Sequence, residues 1–293
     1  MKSAAIALAL IFGLGLGQGA PLAAEGQVAV VAAENFYGDI ARQIGGDRVA
    51  VISIMNNPDQ DPHLFETTPA VVRQLAGAQI VVLNGANYDP WMDKLLAAVP
   101  RAGRTVISAA QITGRKAGDN PHLWYDPITM PGVATALAGA LAKADSAHAS
   151  DYAARLKATL AALERIAERV AQIKAKHAGT AVTATEPVFG PMTEALGLTM
   201  RNQRFQLAMM NDTEPSARDV AAFEKDLREH KVKVLIYNSQ VSEKLTERLR
   251  DIAGKAKVPV VGVTETMPPN VSFQDWVLGE LDALDKALSE PNS

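Results

Sequence analysis

The chain has five histidines and no cysteine, which excludes a thiolate metal site or a cysteine nucleophile and makes each imidazole worth weighing. Two of the five stand apart. His63 ends the loop Asn57-Pro-Asp-Gln-Asp-Pro-His63, and His122 ends Gly118-Asp-Asn-Pro-His122. Each follows a proline, which fixes its own backbone angle and restricts its neighbour, so each loop is stiffened where it aims a ring. Each loop also comes shortly after an expected strand, where open α/β sheets place their ligands. Metal ligation is the chemistry such a pair serves; the plain alternative is two turn histidines with rings in water. His148, at a helix start, and His177 and His230, near helix ends in charged surroundings, read as structural or solvated groups.

Two imidazoles do not fill a metal shell. Glu186, in Thr183-Ala-Thr-Glu186-Pro-Val-Phe-Gly190, follows a strand and precedes a proline, and Glu265, in Val261-Gly-Val-Thr-Glu265-Thr-Met-Pro-Pro269, repeats the arrangement. Four strand-end loops thus each offer one imidazole or carboxylate. Taken singly, either glutamate is more often a helix-start residue or a surface charge. Glu34 and Asp126 are weaker candidates, and Asp126 before Pro127 reads as a helix N-cap.

The elements that must position these residues alternate in the manner of a parallel α/β sheet. Strands are expected at 28–33, 49–54, 79–84 and 105–108, and again at 180–184, 198–201, 232–237 and 258–263; helices are expected at 131–143, 216–230, 242–256 and 273–288. Between the two sets, 151–176 has no glycine or proline, and Tyr152, Leu156, Leu160, Leu163, Ala167, Val170 and Ile173 recur at steps of three and four. That is one helix of roughly 40 Å, with Ser150 as expected cap and Gly179 as stop. The fold class is therefore α/β, with two similar α/β lobes, 25–143 and 179–293, joined by a long rigid helix within 144–178, and the metal site in the cleft between them. A connector that is neither Gly/Ser-rich nor Pro-rich argues against large hinge motion.

Residues 1–24 read as a signal peptide: Lys2 gives a positive start, Ile6 to Leu16 an apolar run, and Leu22-Ala-Ala24 a cleavage region. With no lipobox cysteine, the expected destination is the periplasm, without lipidation. A net charge of −3 and no long basic block give no nucleic-acid footprint.

Asp61-Pro-His63 with Glu66-Thr-Thr-Pro69, Asn120-Pro-His122-Leu-Trp-Tyr-Asp-Pro127, the long central helix, Phe189-Gly190 and Gly197-Leu198 together resemble the metal-binding solute receptors of zinc, manganese and iron ABC importers. The resemblance spans almost the whole mature chain. It implies His63 and His122 as the first two ligands, Glu186 as the third, where zinc-type members place a histidine and manganese-type members often a glutamate, and Glu265 as the fourth, where an aspartate is usual. It implies a monomer that passes its cargo to a permease in the inner membrane. The chain also lacks the long His- and acid-rich loop that zinc-specialised members often carry before the second histidine. Two carboxylates shift the donors toward oxygen, which suits manganese or ferrous iron, yet the Irving–Williams order lets zinc compete. Imidazole ligates when neutral, so affinity should fall as pH drops through about 6.5.

Two other functions remain open to such residues. A metal-dependent hydrolase would need an open coordination position and a general base, and no helical H-E-x-x-H arrangement is present. A receptor for a metal-free organic solute would purify without metal.

Overall fold

The structure is a computed structural model that describes residues 26–57, 65–241 and 243–291. The expected signal peptide and the His63 loop lie outside the described residues. In chain order the main elements are β1 (Val28–Glu34), α1 (Asn35–Gly45), β2 (Val49–Met55), α2 (Pro69–Gly77), β3 (Ile80–Leu83), α3 (Pro90–Ala98), β4 (Thr105–Ser108), α4 (Ala109–Thr113), α5 (Thr129–Ala144) and α6 (Ala149–His177). There follow β5 (Ala181–Ala184), α7 (Gly190–Ala195), β6 (Thr199–Arg201), α8 (Gln203–Met210), α9 (Ala217–Arg228), β7 (Leu235–Asn238), α10 (Lys244–Lys255), β8 (Val260–Val263) and α11 (Phe273–Ser289).

The strands form two parallel sheets of the same plan, ordered β2-β1-β3-β4 and β6-β5-β7-β8. Their central strands are near-continuous apolar runs, such as Ile80-Val-Val-Leu83, with every side chain buried, because helices cover both faces. All eight strands therefore point their C-terminal ends at connecting loops, and those loops carry the candidate ligands.

The helix α6 buries Tyr152, Thr159, Leu163, Ile166, Val170 and Ile173, the stripe its three-and-four spacing predicts. That stripe packs against α1 and α5 on one side and α11 on the other. One apolar core consequently runs through both lobes, from Val30 and Phe36 across Trp124 and Leu163 to Val182, Trp276 and Leu284. Separate smaller cores back each sheet, around Leu75 and Met92 in the first and around Phe205 and Phe223 in the second.

Three local expectations change. The helix α6 starts at Ala149, so Ser150 lies inside it, and His148 is the N-cap residue without a side-chain cap bond. Asp126 does not cap α5, whose N-cap is Ile128; instead its carboxylate accepts from Ile128 N and its carbonyl from Thr129 N, a turn that feeds the helix. The helix expected over 216–230 ends at Arg228, because His230 takes a left-handed φ of 51°. The stop at Gly179 is present, with φ 82° supporting the turn into β5.

Candidate metal centre

His122 is carried by the loop between α4 and α5, directly ahead of a single 3-10 turn, Leu123–Tyr125. The ring is 1% exposed. Its orientation and tautomer follow from Asn120. The Asn120 amide donates to Pro187 O at 2.7 Å, which turns its Oδ1 toward the ring, 2.7 Å from His122 Nδ1 and 3.1 Å from His122 N. An acceptor at Nδ1 requires the hydrogen to sit there, so in the neutral ring the lone pair is on Nε2. Among the described residues Nε2 is buried with no hydrogen-bond partner, and 3.5 Å away stands Glu265 Oε2. The close approach of Asn120 to the 187–190 turn needs a glycine: a Cβ at Gly190 would stand 2.5 Å from Asn120 Nδ2.

Glu265 follows β8 and is 0% exposed. Its Oε2 accepts from Tyr88 OH at 3.1 Å, and its Oε1 accepts from Asn238 Nδ2 at 2.7 Å. The 265–266 backbone is held by Gln240, whose Oε1 accepts from Glu265 N and Thr266 N, while its Nε2 donates to Thr266 Oγ1. Glu186, 7% exposed after β5, is joined to this group through the same amide, with Asn238 Nδ2 donating to its Oε2 at 2.8 Å. Of the four expected residues, His122 and Glu265 thus adjoin, and Glu186 is linked to Glu265 through the Asn238 amide they share. The fourth, His63, lies outside the described residues. Among the described residues, no three His, Asp or Glu side chains stand close enough to hold one ion. His122 and Glu265 adjoin directly, whereas the Asn238 amide stands between Glu265 and Glu186.

Sequence reading missed Tyr88 and Asn238, and took Asn120 only as part of a motif. The available signal was position, since Asn84 and Asn238 end or directly follow β3 and β7. Asn84 gives its amide to Pro121 O at 2.8 Å, tying down the His122 loop, and accepts from Tyr37 OH at 2.7 Å.

Acidity around the site is shifted by burial. Burial raises the Tyr88 phenol well above its usual range, and the Glu265 carboxyl beside it adds to the shift. Behind Tyr88, Glu34 is fully buried, its carboxyl set against that of Asp89. Burial, then the neighbouring Asp89, pushes its pKa well up. Burial also raises Asp89 to about 6, against the opposing pull of backbone donors at Gly85 and Asn84, 2.7 and 2.8 Å away. Apolar rings complete the surroundings. Trp124 meets His122 edge-on at 5.3 Å and Tyr88 at 4.9 Å, and Phe36 and Trp276 stack behind. Such a low-polarity shell strengthens any charge interaction inside it. A cavity of about 400 Å³, bounded in part by Arg115, Asn120, Pro187 and Gln206, opens along the seam between the lobes beside this point.

Comparison with known proteins assigns the chain. The sequence profile described as zinc-uptake complex component A, periplasmic, matches residues 30–287. The manganese-binding lipoprotein MntA of Bacillus subtilis is 26% identical over 233 residues, 75% of this chain and 74% of its own. Among solved structures, the periplasmic zinc-binding protein TroA of Treponema pallidum superposes with a TM-score of 0.76 at 20% identity, over 90% of this chain and all of its own. A crystal structure of ZnuA does so with a TM-score of 0.70 at 24% identity, over 91% of this chain and all of its own. The repeated sheet plan and long helix are thus the fold of these receptors, and relatives so named bind manganese or zinc. With a profile match across nearly all of the described chain, the protein belongs to the periplasmic ZnuA family, the metal-binding receptors of zinc and manganese ABC transporters.

Proposed function

We propose that the protein captures a divalent transition-metal ion between its lobes, through His63, His122, Glu186 and Glu265, and delivers it to the permease of an ABC importer. It does so as an unlipidated monomer in the periplasm and performs no reaction on the ion. The observation that carries this reading is the orphaned His122 Nε2 lone pair, 3.5 Å from Glu265 Oε2. That separation is long for a hydrogen bond. It suits two donors on one ion, since neighbouring ligands in a tetrahedral shell with bonds of about 2.1 Å lie about 3.4 Å apart.

Filling the shell requires Glu186 to come in from beyond the Asn238 amide, a side-chain movement. Two carboxylates offset the charge of the cation and favour manganese or ferrous iron, with zinc a close competitor.

Elemental analysis of protein purified without chelator, paired with calorimetric titration of His122→Ala and His63→Ala, tests the reading. Bound divalent metal and a loss of affinity by orders of magnitude in both variants are expected. Unchanged affinity in either would remove that residue from the ligand set, and zinc that manganese cannot displace would reverse the preference among metals.

A further inference from the structure

The seam cavity, about 400 Å³, falls within the size range of small-molecule pockets, roughly 300 to 1,000 Å³, and the two lobes line it with different chemistry. The first lobe supplies a cation. Gly114 ends α4 in the left-handed region at φ 69°, and Arg115 N donates back to Ala110 O at 2.9 Å, a turn that sets Arg115 in the lining. Its guanidinium stands 3.6 Å from the Asp126 carboxylate, an ion pair too long for a hydrogen bond. Among the described residues the Arg115 side chain makes no hydrogen bond, so its N–H donors remain for a ligand. The second lobe supplies acceptors. Gln206 on α8 is 1% exposed and Thr193 on α7 is 2% exposed. Gln206 Nε2 donates to Arg201 O at 2.7 Å, which fixes the amide, and among the described residues Gln206 Oε1 has no partner. Thr193 spends its hydroxyl hydrogen on Gly190 O at 2.8 Å and keeps its lone pairs. Glu194, beside Thr193, adds an exposed carboxylate to the same lining. An acceptor on so buried a residue, set in the wall of a cavity, calls for a donor inside it.

We infer that this cavity is a second binding site, for a small zwitterion of the free amino-acid class. The ligand's carboxylate sits on Arg115, its ammonium meets Gln206 Oε1, Thr193 Oγ1 and Glu194, and its side chain lies against Leu123, Leu198 and Met200, the apolar part of the lining. Ligands of one sign fit less well. An anion alone leaves the acceptors of the second lobe unanswered and meets the carboxylates of Asp126 and Glu194; a cation alone meets Arg115. A zwitterion answers both sides, and the planar fork of an arginine matches a carboxylate with two parallel bonds. Because Arg115 and Gln206 belong to different lobes, the bound molecule bridges the seam. It also lies against Asn120, one side chain away from the His122 ring. None of the expected metal ligands lines this cavity, so the inference stands apart from the capture function proposed above.

The test screens the full chain, with and without zinc, against the common L-amino acids one at a time by thermal shift, since a ligand that binds the folded state raises Tm. Those that raise it are titrated by calorimetry beside acetate and methylammonium, their single-charge fragments. At least one amino acid should bind, and neither fragment should bind at the same concentration. Arg115→Gln and Gln206→Met should each weaken that binding by roughly 10-fold to 100-fold, the scale of a hydrogen bond to a charged group, while zinc affinity measured without amino acid stays at the wild-type value. Binding of no amino acid, equal binding of either fragment, or undiminished binding in Arg115→Gln would overturn the inference. Arg115 is exposed, so its variant decides the matter even if the buried Gln206→Met does not fold. A wild type that binds an amino acid but no zinc would support this site and overturn the capture function instead.

Discussion

His122 is ready for a cation because Asn120 makes it so. The amide that donates to Pro187 O fixes which atom meets Nδ1, and through it which nitrogen carries the lone pair. Replacing Asn120 with Ala should lower metal affinity by roughly 10-fold to 100-fold. Asn120→Asp, which still accepts from Nδ1–H but cannot donate to Pro187, should retain affinity closer to wild type; calorimetry on the pair separates the tautomer effect from the loop contact. Equal losses in both would mean that loop anchoring matters and the tautomer does not. At this scale the sequence brought forward His122 and Glu186, each next to a proline, and Glu265 after β8 as candidate ligands, and the fold places all three in buried loops. It did not expose Asn238 or Tyr88. An amide and a phenol are unremarkable at strand ends, and their roles arise only when β7, β8 and the 84–89 turn are brought together.

The elements themselves were legible. All eight strands and the long helix fall where periodicity placed them, because parallel strands buried on both faces are short apolar runs and α6 carries an unbroken stripe. The errors were at ends, where capping depends on side-chain geometry that spacing does not encode, as Ser150 and Asp126 illustrate. One helix carries a further consequence. Glu280 on α11 accepts from Thr264 N and Trp276 Nε1, at 3.2 and 3.0 Å, and burial raises its pKa to about 8 despite those bonds. A carboxyl whose folded pKa lies above its unfolded value favours folding below the unfolded value and loses that contribution as pH rises. Stability should therefore decline between about pH 4.5 and 8, by up to about 1.4 kcal/mol per unit from this group. Glu280→Gln keeps an acceptor for both donors and should flatten the decline in urea titrations; an unchanged slope would show that Glu280 is ionised throughout.

Across the whole molecule, the lobes are fastened together at several levels. The main core passes through both, α6 packs on both, and hydrogen bonds cross the seam. Asn35 exchanges bonds with the Met267 backbone at 2.6 and 3.1 Å, Tyr125 OH donates to Thr264 O at 2.7 Å, and Gln43 pairs with Gln274 at 2.9 Å. Opening the lobes widely would break these bonds and expose the shared core. Loading with metal should therefore slow amide hydrogen exchange in the loops after β4, β5 and β8 and leave α6 unchanged. A change of protection along α6 would point to hinge motion instead. The absence of a flexible linker suggested this stiffness from composition; the shared core and the cross-seam bonds are visible only once the chain is folded.

The equal strand order of the two sheets gives Asn84 and Asn238 corresponding stations, at the end of the third strand of each. Each hands one amide hydrogen to the segment after the fourth strand, Asn84 to the carbonyl preceding His122 and Asn238 to Glu265. The two halves are thus tethered by the same device, an asparagine at the third strand reaching across to the segment after the fourth. With the same tether in both halves, the residue beside it can be an imidazole on one side and a carboxylate on the other without any change to the scaffold.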